Sequence, residues 1–231
     1  MSVQQPLARP VQTYGPDVRT QFMTRVYVHL MAGIAAFIAI EYALFVTGLA
    51  EAIAFFVADT SWLLILGGFM IVSWIANSMG LRAETPGAQY GAYGLLIAAN
   101  ALLFATPLYF AAYHPDSPQD VITIAAQISL FAFAVLSFIA IRTSKDFSFL
   151  RSLLMWGGAL ALVAIVGAVI FGAVLGTWFS VAMIGFAGAA ILYDTQRIYQ
   201  SYPPDRVVAA SMSLFASLAL LFWYVLRLLR R

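Results

Sequence analysis

The 231-residue chain has no cysteine, one lysine, two histidines and a charged fraction of only 10%. Each scarcity closes off a chemistry. Without cysteine there are no disulfides, no thiolate nucleophile and no Cys-ligated metal. The single lysine, Lys145, sits in a charged loop, so no intramembrane amine is available for a retinal-type Schiff base. His29 and His114 lie at a span end and in a loop, which leaves a serine nucleophile without a base at membrane depth. No phosphate-binding glycine loop and no dense histidine–carboxylate cluster occurs, so no cofactor is expected. The net charge of +2 is too small to point to nucleic acid. The chain reads as a non-enzyme.

What is abundant is hydrocarbon. Hydrophobic residues make up 63% of the sequence and the mean hydropathy is +0.90. An ordinary soluble domain carries about 45–50% apolar and about 25% charged residues. A water-soluble fold of this size has too much surface to hide such an excess. The composition fits an all-α membrane protein, with the lipid bilayer as its solvent. Seven spans at roughly 20 residues each take about 140 residues. The apolar stretches fall at about 26–48, 62–81, 90–113, 121–141, 153–175, 178–199 and 207–229. The break between the fifth and sixth is minimal, Gly176-Thr177. Residues 1–22 are polar, contain Pro6, Pro10 and Pro16, and read as a disordered tail ahead of a seven-helix domain at 23–231. No basic stretch leads into a short apolar one, so no cleaved signal peptide is expected.

Orientation follows from the basic residues. The tail's side collects Arg9, Arg19, Arg25, Arg82, Arg142, Lys145, Arg151, Arg197 and Arg206. The opposite loops carry Glu51, Asp59, Asp116 and Asp120 and no Lys or Arg. This bias places the N-terminus in the cytoplasm, most simply of a bacterial cell membrane. Arg227, Arg230 and Arg231 resist it. Either the upstream bias overrides them, or the last segment re-enters without crossing.

Polar groups at membrane depth are costly and so are functional candidates. Asp194 stands first, about 24 Å along its helix at 1.5 Å per residue. It is either an interfacial carboxylate paired with Arg197 one turn on, or a titratable gate. As a gate, Arg82 is its candidate partner, because it ends the second span at the same depth. Glu41 and Asn100 are candidate pore-lining groups, with hydrogen bonding inside the bundle as the alternative. Asn100 and Gln127 are most simply interhelical hydrogen-bonding groups, and His29 a satisfied interfacial residue. Asp194 is the only intramembrane aspartate, which excludes a two-aspartate protease.

The run Ala187-Gly188-Ala189-Ala190-Ile191-Leu192-Tyr193-Asp194-Thr195-Gln196-Arg197-Ile198 resembles the sixth-span signature of the Bax inhibitor family. Phe22-Met23-Thr24-Arg25-Val26-Tyr27, followed by Leu30-Met31-Ala32-Gly33, is similar to that family's first-span entry. Arg142-Thr143-Ser144-Lys145-Asp146-Phe147-Ser148 is similar to its loop after span four, and Leu221–Leu229 to its last span. The resemblance implies six helices around a central seventh. It also implies a pH-sensitive leak of Ca²⁺ or another cation, or regulation of a membrane protease. The family's leak is gated by two aspartates, one on each of the last two spans. Asp194 matches the first, while Ser217 stands where the second belongs. A single carboxylate opposite a serine offers a divalent cation few ligands, since Ca²⁺ usually takes 6–8 oxygens. Asp194 is therefore at most a weak metal ligand, and Ser217 joins the candidate pore-lining residues.

Overall fold

The computed structural model describes residues 9–83, 85–115, 117–143 and 145–230. Residues 1–8, Glu84, Asp116, Ser144 and Arg231 lie outside the described residues. Eight helices follow in order: α1 Pro16–Val46, α2 Leu49–Asp59, α3 Trp62–Arg82, α4 Pro86–Tyr113, α5 Val121–Arg142, α6 Leu150–Ile170, α7 Thr177–Ser201 and α8 Val207–Leu229. All except α2 are long and apolar enough to cross a membrane. The seven expected spans are therefore present; α1 and α4 begin ten and four residues earlier than expected, and α6 ends five residues earlier.

Local chemistry sets the boundaries. Pro16 and Pro86 open α1 and α4, where a missing N–H costs nothing. Gly48, at φ +76°, turns the chain from α1 into α2. Gly172, at φ +66°, closes α6, and Ala173 N–H donates back to the Ala168 carbonyl at 2.8 Å. The connection expected at Gly176-Thr177 is thus a real break, running from Phe171 to Gly176.

Two features depart from the sequence expectation. The interval between the first two spans is not a loop but α2, whose 11 residues cover about 16 Å, too short to span. It packs on α1 and α4 and buries Ala50 and Ala54, and its Phe55 meets Tyr109 and Phe110 edge-on. The described part of the tail expected to be disordered, residues 9–22, is structured. A 3-10 turn covers Val11–Thr13, and α1 already begins at Pro16. Val11 is fully buried, its N–H donates to the Tyr202 carbonyl at 2.8 Å, and Arg19 lies over the Tyr199 ring at 4.3 Å. Apolar Val11 and the aromatic ends of α7 give this polar stretch something to pack on.

The last helix is the core. α8 packs against α1, α3, α4, α5 and α7, and 61% of its most apolar stretch is buried, against 6% for α6 at the periphery. Outward-facing side chains are as apolar as the interior: Phe131, Trp74 and Leu160 are 74%, 70% and 68% exposed. Only lipid makes such a surface stable. Close helix approach comes from small residues. The Tyr93 ring lies directly over Gly33, where its hydroxyl donates to the His29 carbonyl at 3.2 Å, and Met212 of α8 packs on Gly80.

The ends of the bundle are tied by side chains. At one end, Arg206 Nη1 donates to the Leu81 and Ala83 carbonyls, at 3.0 and 2.8 Å, closing α3. At the other, Arg227 Nη2 donates to the Leu175 carbonyl and Arg230 Nη1 to the Pro107 carbonyl, at 3.0 and 3.1 Å. The re-entrant alternative for the final segment is therefore not adopted. α8 runs the full height of the bundle, and its basic end lies with the α6–α7 connection.

Candidate functional site

On a helix, three consecutive residues point about 100° apart. Asp194, Thr195 and Gln196 of α7 use this to reach three different neighbours. Asp194 Oδ2 accepts a hydrogen bond from the Ser217 hydroxyl of α8 at 2.6 Å. The Thr195 hydroxyl, fully buried, meets Ser137 of α5 at 3.4 Å. Gln196 reaches the α5–α6 loop twice: its Nε2 donates to the Lys145 carbonyl and its Oε1 accepts from Phe147 N–H, both at 2.7 Å. Within that loop Asp146 accepts from both the N–H and the hydroxyl of Ser148, at 2.8 and 2.9 Å. The short polar motif is thus the hub that fixes α7 to α8, to α5 and to a loop.

The Asp194–Ser217 contact is short, as expected for an O–H···O bond to a carboxylate. Ser217 is buried and Asp194 half-buried. Asp194 stands seven residues before the end of α7, and Ser217 ten residues into α8. At 1.5 Å per residue the pair lies about 10–15 Å in from that end of the bundle. Two turns of α8 nearer the end, the Ser211 hydroxyl donates to the Val26 carbonyl of α1 at 2.9 Å.

Other candidates fall elsewhere. Arg82 is exposed on the last turn of α3, a helix that packs on α4, α8, α6 and α2, and it makes no hydrogen bond or ion pair to Asp194 among the described residues. Equal depth did not make the two groups neighbours. Nor does an ion pair join Asp194 to Arg197 among the described residues; the Arg197 guanidinium lies 5.7 Å from the Tyr202 ring centre. Glu41 faces a cavity between α1, α4, α5 and α8, whereas Asn100 faces a second one, of about 780 Å³, between α3, α4, α6 and α8. Phe104 and Ala219 wall both cavities. Glu41 and Asn100 thus face different cavities, and Ser217 lines neither of the two.

Asn100 was expected to bond across helices but donates to the Leu96 carbonyl of its own helix at 2.8 Å, and Asn77 likewise to Ser73 at 2.8 Å. The carbonyl four residues back is the nearest acceptor and costs no helix-to-helix alignment. Gln127 is exposed on the outer face of α5. His29 is a satisfied residue, as expected: one ring nitrogen is 2.8 Å from the Arg25 carbonyl and the other 2.7 Å from Tyr90 Oη. Among the described residues no group of three or more histidines and carboxylates is close enough to hold a metal ion.

Six apolar spans and the short α2 around a buried seventh span, α8, with polar contacts concentrated between α7, α8 and one loop, define a polytopic helical membrane protein with an internal carboxylate–hydroxyl pair. The chain belongs to the Bax inhibitor family: the family model described as "Inhibitor of apoptosis-promoting Bax1" matches residues 19–231. No curated protein matches it. The match extends upstream of the expected first span and takes in Arg19 on the Tyr199 ring.

Proposed function

We propose that this protein is a pH-modulated cation leak, with Ca²⁺ as the first ion to test, and that Asp194 is its proton-sensitive gate. It acts without catalysis, in a bacterial cytoplasmic membrane with the N-terminus in the cytoplasm, as the basic residues at that end of the bundle favour. The observation that carries the reading is the 2.6 Å contact between Asp194 of α7 and Ser217 of the central α8. A hydrogen bond to an ionised carboxylate is roughly twice as strong as one between neutral groups. Protonating Asp194 therefore weakens the tie between a peripheral helix and the helix on which the bundle is built. The test is flux into liposomes loaded with a calcium dye. Flux in wild type rises from pH 8 to pH 6, and Asp194→Asn abolishes that dependence. Equal flux for both proteins across the range refutes the gating role.

A second reading has its own support. Ser217 supplies no charge, so the α7–α8 pair offers a passing divalent ion one carboxylate only. On this reading the protein regulates another membrane protein, such as a membrane protease, without transporting. Affinity purification from native membranes, with and without residues 1–22, bears on it: a partner lost on truncation favours tail-mediated docking, and a wild-type protein with no flux at any pH favours this reading over the leak.

A further inference from the structure

Glu41 is only 7% exposed, and neither of its carboxyl oxygens has a hydrogen-bond partner among the described residues. Ser129, 1% exposed, has an equally unpartnered hydroxyl. Both face the same cavity, of about 540 Å³, whose walls apart from Thr123 are otherwise hydrocarbon and aromatic, including Phe37, Phe104, Phe215 and Phe222. Burying polar groups without partners costs free energy that nothing in the protein offsets here. The cavity size falls in the range of small-molecule sites, and so does the pattern of an apolar lining with a few polar groups.

The geometry of the walls says where a ligand enters. α1 and α5 flank the cavity, and α4 and α8 back it; α1 packs on α4 and α8, and α5 likewise, while α1 and α5 meet edge-on through Tyr27 and Phe133, about 21 Å along α1 from Glu41. Ile38, Tyr42 and Leu130, at the rim, are 59%, 72% and 41% exposed on the lipid-facing surface. The opening is therefore sideways into the bilayer. Glu41 lies five residues from the end of α1 and Ser129 eight from the start of α5, both at the end of the bundle that holds α2. That is about 8–12 Å below the interface.

We propose that this cavity binds a lipophilic amine, entering from the membrane between α1 and α5, with its nitrogen on the Glu41 carboxyl and its chain among the phenylalanines. The chemistry selects the class. A fatty acid would set a second acid beside Glu41. A plain hydrocarbon would leave both polar groups unpaired. A metal ion would find one carboxylate and a hydroxyl, too few oxygens for a calcium-like site. A neutral amine arriving through lipid takes the carboxyl proton onto its nitrogen lone pair, giving an ammonium–carboxylate pair with no other reactant. Its remaining N–H groups donate to Glu41 and to the Ser129 oxygen. The site is separate from the α7–α8 contact and does not depend on the leak reading.

The experiment uses the full chain in phosphatidylcholine nanodiscs and a diazirine-bearing alkylamine, with photolabelled peptides mapped by mass spectrometry. Labelling is expected to concentrate on the cavity segments of α1 and α5, and to be competed by dodecylamine at least tenfold more effectively than by dodecanol or dodecanoate. Glu41→Gln should weaken labelling at these segments at least tenfold. Ala126→Phe, which fills the cavity and keeps Glu41, should do the same; melting curves in the discs confirm that both variants fold. Competition by added phosphatidylethanolamine would identify a lipid headgroup as the amine's source. Labelling spread evenly over lipid-facing helices, unchanged in Glu41→Gln and in Ala126→Phe, would overturn the proposal, and so would equal competition by dodecanol.

Discussion

Ser217→Ala is the most discriminating perturbation of the α7–α8 contact. It deletes one oxygen, leaves the backbone of the central helix alone, and removes the hydrogen bond that holds Asp194 at 2.6 Å. A hydrogen bond to a charged acceptor contributes about 1.5–3 kcal/mol, and a buried partner left unsatisfied adds a cost of similar size. If the contact exists only in the closed arrangement, losing about 2 kcal/mol from it raises the open-to-closed ratio about 30-fold, since 1.4 kcal/mol corresponds to tenfold. The readout is calcium flux into dye-loaded liposomes at pH 8, where the carboxylate is ionised and the tie strongest. Flux in Ser217→Ala should exceed wild type by an order of magnitude or more, and should rise less on acidification. Asp194→Asn separates charge from geometry. Its carboxamide oxygen still accepts from Ser217 but does not titrate, so flux should stay flat with pH. Were Ser217→Ala to leak at the wild-type rate with an unchanged pH profile, the contact would be structural and the gate would lie elsewhere.

Three further outcomes follow from the packing. Gly33→Ala places a methyl group against the Tyr93 hydroxyl and ring; overpacking of this kind costs about 1–3 kcal/mol, and Tyr93→Phe in the same background should restore only part of the lost melting temperature, because the ring carbon also collides. Gln196→Ala frees the Lys145 carbonyl and the Phe147 amide. Hydrogen exchange at Phe147 should accelerate at least tenfold while α8 amides keep their protection; unchanged exchange would show that the loop holds itself. The absence of native cysteine makes Ser61→Cys and Lys145→Cys clean topology probes. An impermeant maleimide added to intact cells should label Ser61→Cys only, and labelling of Lys145→Cys instead would invert the proposed orientation.

The spans were legible because hydropathy alone defines them: 207–229 was expected and Val207–Leu229 is observed. α2 was hidden because eleven residues make no membrane-length signal, and Glu51 and Asp59 look like loop charges. The site was legible in one coordinate. Residue number along a helix gives depth, and depth put Asp194 and Arg82 level. It does not say which helices are neighbours: α7 packs extensively on α8 and α5, and α3 on α4. Ser217 was placed opposite Asp194 by register with a family motif, and the two do touch. The clamp by Gln196 was missed although the residue lies in the same motif, because its partners are backbone atoms of a loop fifty positions away and carry no side-chain signature. The Glu41–Ser129 cavity was missed for a similar reason: nothing in either helix alone shows that the two face one space.

The central position of α8 also bears on how the protein is made. Synthesis delivers segments in order, and the helix that contacts five of the other six spans comes after all of them. Until it arrives, the faces of α1 and α4 that α8 covers have no partner but lipid, and the Val26 carbonyl waits for a serine 185 positions downstream. Assembly is then less a sequence of helices adding to a growing core than the insertion of a keystone into a ring already standing in the membrane.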